Sequence, residues 1–278
     1  MIARAKRVSG DAGERAMTDV SITITVNFPM SEQNTRLARD MLEAATQLDP
    51  NAADAAAWLA ELTVSDYLNY WNNTGRTALQ NANNLTARLT AAANPPPRAY
   101  YAQGFVHRAR GKHPDARDAF FEARTRNPNF IRAYAHEGAQ QINLGNWNAG
   151  QQLVDQAIAM SPTHPSIGVF QCIKGRGYFF EAVAANAARF ADAIHWLELS
   201  RADRDNLWYN RAYLMAAYQL VGRTTDAQNE LAAFKLNYTQ IVVPDDIHTK
   251  FEVRNPNGNA AQAVKNGRKA MLDAIKTI

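Results

Sequence analysis

Cysteine is almost absent from this chain: Cys172 is the only one. A single thiol excludes an intrachain disulfide and a cysteine-based zinc site, and it fits a reducing, cytoplasmic setting. Long apolar runs are absent too. A membrane-spanning helix needs about 18 or more consecutive apolar residues, and no stretch here supplies them. The opening Met-Ile-Ala-Arg-Ala-Lys-Arg-Val-Ser-Gly is basic but lacks the continuous apolar segment of a secretory signal. Charge of one sign is also lacking, since 30 basic against 26 acidic residues leave +4, well interspersed. Nucleic-acid binders gather Lys and Arg on one stripe or tail. The nearest approach here is Arg4, Lys6 and Arg7, with Arg108, Arg110, Lys112 and Arg117 in mid-chain. Nucleic acid is therefore not an expected partner.

Motifs that carry chemistry are missing as well. Gly175-Arg176-Gly177 lies inside a helical pattern, without the strand-to-helix context or the following Lys-Ser/Thr of a phosphate loop. There is no Gly-x-Ser-x-Gly elbow. Cys172, among Phe170 and Ile173, reads as a small buried hydrophobe. His107 and His113 are six apart, which does not put two ligands on one helix face. His164, His195 and His248 have no evident co-ligands. The pairs Asp115/Asp118 and Asp203/Asp205 fall where a helix begins, and there carboxylates favour the positive helix end. No catalytic residue, cofactor or metal site is expected.

What the chain does have is alanine and a period. Laid on itself with a shift of 34 residues, Gly104 falls on Gly138, Gly111 on Gly145, Ala123 on Ala157 and Asn127-Pro128 on Ser161-Pro162. Arg98 and Tyr100 fall on Arg132 and Tyr134. Each unit divides into two antiparallel helices: Arg98–Arg110 with Pro114–Arg126, then Arg132–Leu144 with Asn148–Met160. Gly111 and Gly145 stop the first helices, and Pro128 and Pro162 follow the second. Gly104 offers a site where the paired helix can come close.

These residues resemble the tetratricopeptide repeat pattern, Trp-x2-Leu-Gly-x2-Tyr, then Ala-x3-Phe, then Pro. Here it stands as Tyr100-x2-Gln103-Gly104-x2-His107 with Ala116-x3-Phe120, and as Tyr134-x2-Glu137-Gly138-x2-Gln141 with Gly150-x3-Val154. Gln103 and Glu137 replace the family's Leu, and His107 and Gln141 its Tyr. The resemblance implies an all-α, right-handed superhelical solenoid of antiparallel helix pairs. A weaker similarity, over roughly residues 35 to 240, is to the C-terminal repeat regions of bacterial signalling proteins, both cyclase-type and transcription-regulator polypeptides. It implies a sensory or assembly module and carries no catalysis with it.

Stretched or degenerate units flank the regular ones. Ala53–Trp71 pairs with Thr77–Ala92, and a long Ser166–Ala185 precedes the helix that contains Arg189 to Leu197. Leu214-x3-Tyr218-x3-Gly222 with Ala227-x3-Leu231 follows the same plan, and Ala38 to Ala45 reads as a lone second helix. The expected organisation is an N-terminal arm over 1–30, the array over 31–240, a loop over 241–258 and a capping helix over 259–278. Val20–Val26 alternates with the period of a strand, which leaves pairing with a second copy open.

First helices line the concave face in the family, so the resemblance implies a groove for a peptide or a partner protein. Projection of the inward helix faces assigns Arg98, Tyr101, Phe105 and Arg108 to it, then Arg132, His136 and Asn143, and later Tyr209 and Tyr213. Three arginines among aromatics suit an acidic partner. Tyr101 and Ala135 stand where the family's carboxylate clamp would need basic residues, so that specific activity is not expected. The leading expectation is a non-catalytic interaction scaffold. A metabolite-sensing pocket near Trp58, Tyr67, Phe170 and Tyr178 is the alternative.

Overall fold

A computed structural model describes residues 32–49, 51–69, 75–203, 207–239, 241 and 258–278. The expected strand over Val20–Val26, the arm before it, Tyr70, Trp71, His248 and most of the expected loop lie outside the described residues. Twelve helices and no strand are found among those described. They are α1 (Glu32–Leu48), α2 (Ala53–Asn69), α3 (Gly75–Thr90), α4 (Pro97–Ala109), α5 (His113–Arg126) and α6 (Ile131–Asn143). Then come α7 (Trp147–Met160), α8 (Ile167–Ala184), α9 (Arg189–Asp203), α10 (Trp208–Leu220), α11 (Thr224–Asn237) and α12 (Gln262–Ile275).

Three pairs share one plan. α4, α6 and α10 are each 13 residues long, and their partners α5, α7 and α11 are each 14. The turns between them are set by Gly111, Gly145 and Gly222, whose φ values of 70°, 85° and 78° lie in the left-handed region. At each turn a 6→1 hydrogen bond closes the helix end: Lys112 N–H to His107 O, Asn146 N–H to Gln141 O and Arg223 N–H to Tyr218 O, all 2.9 Å. This is the glycine-dependent stop in which one left-handed residue satisfies carbonyls that the last turn leaves open. The remaining pairs are longer, with 17 and 16 residues in α2 and α3, and 18 and 15 in α8 and α9.

Stacking follows chain order. Each first helix packs on its own partner, and each second helix packs on the first helix of the following pair: α3 on α4, α5 on α6, α7 on α8, α9 on α10. α1 packs on α2 in the same way, as a second helix without a first. Several interfaces are close enough to require glycine. A Cβ on Gly138 or on Gly150 would lie 2.7 Å from the other's carbonyl oxygen. In α8, Gly175 and Gly177 let Leu197 of α9 and Gln151 of α7 approach.

The core is a chain of clusters along the array. Leu42 and Trp58 belong to the first, Tyr101, Phe105 and Phe120 to the second, and Phe170, Phe179, Phe180 and Tyr213 to a large third one that extends over α6–α12. Each large side chain so buried contributes on the order of 1.5–3 kcal/mol. Phe121, next to the buried Phe120, is exposed and lies under the Arg124 guanidinium. Cys172 is buried, in keeping with the sequence reading.

The polar replacements at the family's Leu position have partners. Gln103 donates to Thr90 Oγ1 at 3.2 Å, and Glu137 pairs with Arg124. Each bond joins a first helix to the second helix before it across 13 residues, and the second bond repeats the first at the 34-residue period. A hydrophobic contact of the repeat is thus replaced, in register, by a polar one.

Candidate functional site

The first helices form the face that the repeat pattern singles out. α2 adjoins α4, α6 adjoins α8, and α8 adjoins α10. Between α4 and α6 the contact is made by side chains. His136 inserts its ring 5.7 Å from Tyr101 and 4.8 Å from Phe105, and Phe120 backs them at 5.6 Å from His136.

One carboxylate organises this end of the face. Glu61 of α2 is buried, accepts from Arg98 of α4 at 3.0 Å and from Arg132 of α6 at 2.6 Å. Arg98 Cζ also stands over Trp58, 3.5 Å from the ring centre, and Arg132 stands 5.0 Å over Tyr101. Burial lowers the pKa of Arg98, with Glu61 opposing that loss. At Arg132 burial also works against the charge, but Glu61 and its neighbours outweigh it and raise the pKa. Burial raises the Tyr101 hydroxyl, which stays protonated at neutral pH. Two of the three groove arginines therefore serve as internal ties between the first helices of three successive pairs. Sequence reasoning missed Glu61 because its partners are 37 and 71 residues away, and no local spacing marks it.

The structure brings Arg98, Tyr101, Phe105, Arg132 and His136 together, with Arg108 stacked 5.7 Å from Phe105. Asn143 lies at the far end of α6, where its Oδ1 accepts from Arg268 of α12 at 3.1 Å. Tyr213 of α10 is fully buried between Phe179 and Phe180, at 5.3 and 5.6 Å. Tyr209 is buried beside Trp208. Of these nine residues only Arg98 and Arg132 keep partial exposure. The face is thus assembled but covered.

Over α8 and α10 the cover is α12, which packs against both. The segment before it is tied by main-chain bonds to two successive turns. Asn259 N–H reaches Gly111 O at 3.0 Å, and Ala261 N–H reaches Asn143 O at 2.9 Å. A buried polar set continues inward, with His113 Nδ1 2.9 Å from Gln140 Oε1 and 3.4 Å from Asn143 Nδ2.

The four residues of the expected metabolite pocket are spread over three separate clusters: Trp58 in the first, Tyr67 against the second, Phe170 and Tyr178 in or against the third. Among the described residues, no group of three or more His, Cys, Asp or Glu could hold a metal ion. No described helix is long and apolar enough to cross a membrane.

The helix pairs, the 34-residue spacing of the two central ones and the order of stacking define the architecture. It is an all-α solenoid of stacked antiparallel helix pairs. No protein-family model matches the chain, and no curated protein matches it. Among solved structures it is similar to a tetratricopeptide repeat protein from Parabacteroides merdae ATCC 43184, with a TM-score of 0.47 and 12% identity, over 93% of this chain and 98% of that one.

Proposed function

We propose that this chain is a non-catalytic scaffold that binds a partner protein or peptide on its first-helix face, in a cytoplasmic bacterial signalling or assembly setting. The observation that supports this reading is the order of α2, α4, α6, α8 and α10 along one face, with α4 and α6 joined by His136 against Tyr101 and Phe105. The contact residues we assign are Arg98, Tyr101, Phe105, Arg108, Arg132, His136, Asn143, Tyr209 and Tyr213. An acidic segment of the partner would meet the α4–α6 end, where Arg98 and Arg132 flank Glu61. Since most of these residues are buried, binding requires that what covers them move first.

The test is a footprint. A partner captured from the native organism on the full chain should slow amide exchange in α4, α6, α8 and α10. Protection confined to the outer helices α5, α7 and α9 would overturn the groove assignment.

A further inference from the structure

We propose that α12 is the resident ligand of the groove over α8 and α10, and that a partner presenting an amphipathic helix with the same stripe displaces it. This rests on the binding-scaffold reading above and names the partner chemistry and the regulation of that site.

The argument begins with the stripe. Val264, Gly267, Arg268, Met271, Ala274 and Ile275 are buried and follow one another at i, i+3, i+4, i+7, i+10 and i+11. That is the anchor spacing of a helix laid into a groove. The opposite face, with Gln262, Asn266, Lys269, Asp273 and Lys276, is exposed. It carries its own i,i+4 pairs, Gln262 to Asn266 at 2.9 Å and Lys269 to Asp273. Each such pair adds only about 0.2–0.5 kcal/mol to the helix, so the exposed face is polar while the docking contacts lie on the stripe.

Its position in the array sets α12 apart from the other helices. Every helix of the five pairs has its partner next in chain order. α12 instead lies on α8 and α10, which begin 95 and 54 residues before it (262 − 167 and 262 − 208). Residues 238–261 join it to α11. The array makes its own second-to-first helix stacking without α12, and α12 adds to it from the inner side.

The seat is shaped for small residues on the incoming helix. A Cβ on Gly267 would lie 2.6 Å from the Phe180 ring, so a partner helix needs Gly or a comparable gap at that position. At the next position the seat holds a cation. Arg268 reaches Asn143 Oδ1 and is buried on α8 and α10 near Tyr213 and Arg176. Burial, with Arg176 adding to it, pushes the Arg268 guanidinium down to about 10. Arg268 thus ties the resident helix to the end of α6 by a buried polar bond, beside the apolar contacts of Val264 and Met271.

A tethered occupant acts at a high effective concentration, so a free helix must compete against it, and the apparent affinity of the groove is divided by the fraction that is open. The probe is a fluorescent, isotope-labelled synthetic peptide of residues 259–278, applied to the full chain. Met271→Asp, which places a carboxylate in the apolar seat, should raise peptide affinity at least about tenfold over the unaltered chain by opening the groove. On the unaltered chain, excess peptide should speed amide exchange in the resident 262–275 while α8 and α10 stay protected.

Unchanged exchange in 262–275 at saturating peptide, together with no gain in affinity for Met271→Asp, overturns the proposal. If that variant loses helicity beyond α12, the exchange experiment on the unaltered chain decides alone. The two readings fail separately. A partner that footprints the first helices but leaves α12 in place defeats displacement and keeps the scaffold. Peptide exchange with a partner bound to the outer helices does the reverse.

Discussion

Among single side chains, the largest expected effect on stability belongs to Glu61. Its carboxylate ties Arg98 and Arg132 inside the array, so removing it leaves two buried guanidinium groups short of their counter-ion. Glu61→Ala should cost about 3–5 kcal/mol in urea unfolding, the range for breaking a buried ion pair from one side. A loss under about 1 kcal/mol would mean that water reaches those arginines readily. For the same reason, charge reversal at Arg98 or Arg132 would report on folding before it reported on binding. His164 supplies a pH prediction. Its Nδ1 accepts from the Ser166 N–H at 2.9 Å just before α8, and its ring lies 5.2 Å from Phe170. Burial, with Arg132 assisting, lowers its pKa to about 4. A histidine whose folded pKa lies below its unfolded value binds fewer protons when folded. Its contribution is then fully present above the unfolded pKa of about 6.5 and is lost as pH falls toward 4. His164→Asn should flatten the decline of the unfolding midpoint across that window, and a parallel decline in both proteins would remove His164 from the account.

For the helices and their junctions, glycine divides into two kinds with different expected costs. Gly222 has φ +78 and nothing within 4 Å of a would-be Cβ, so Gly222→Ala carries only the left-handed backbone penalty, roughly 1–2 kcal/mol. Gly138→Ala meets the Gly150 carbonyl oxygen at 2.7 Å and must separate α6 from α7. It should cost more, toward or beyond the roughly 1–3 kcal/mol of overpacking. Thermal unfolding of the two variants side by side checks the order, and equal losses would show that the α6–α7 contact can spread. The turn glycines were legible because a stop signal is local: helix, glycine, next helix, with Gly111 and Gly145 34 residues apart. The α4–α7 boundaries expected from that spacing lie within one residue of those observed. The exposure of Phe121 was not legible, because Phe120 and Phe121 are equally apolar and only the neighbouring helices decide which one turns inward.

Across the whole molecule, stacking makes stability uneven. α8 has neighbours in α6, α7, α9, α10 and α12, whereas α1 packs chiefly on α2. Nearest-neighbour stabilisation in a repeat array then predicts the slowest native-state amide exchange in α8 and α10 and the fastest in α1. Uniform protection from α1 to α11 would contradict it and point to a single cooperative unit. This gradient also bears on function, since the central first helices can stay folded while a segment lying on them exchanges.

The amino-acid sequence by itself determined the repeat, its 34-residue length, the helix pairs and the glycine turns. All of these come from interactions between residues close in the chain, and propensity, period and helix stops act at that range. Only the tertiary structure decided what the inward face does. Which carboxylate meets Arg98 and Arg132, and where α12 comes to rest, depend on contacts across 37 to 125 residues. The inward projection of the first helices named residues that do converge at α4 and α6. It could not say that they would be covered, because burial is a property of the assembled stack and of the segment that folds back onto it.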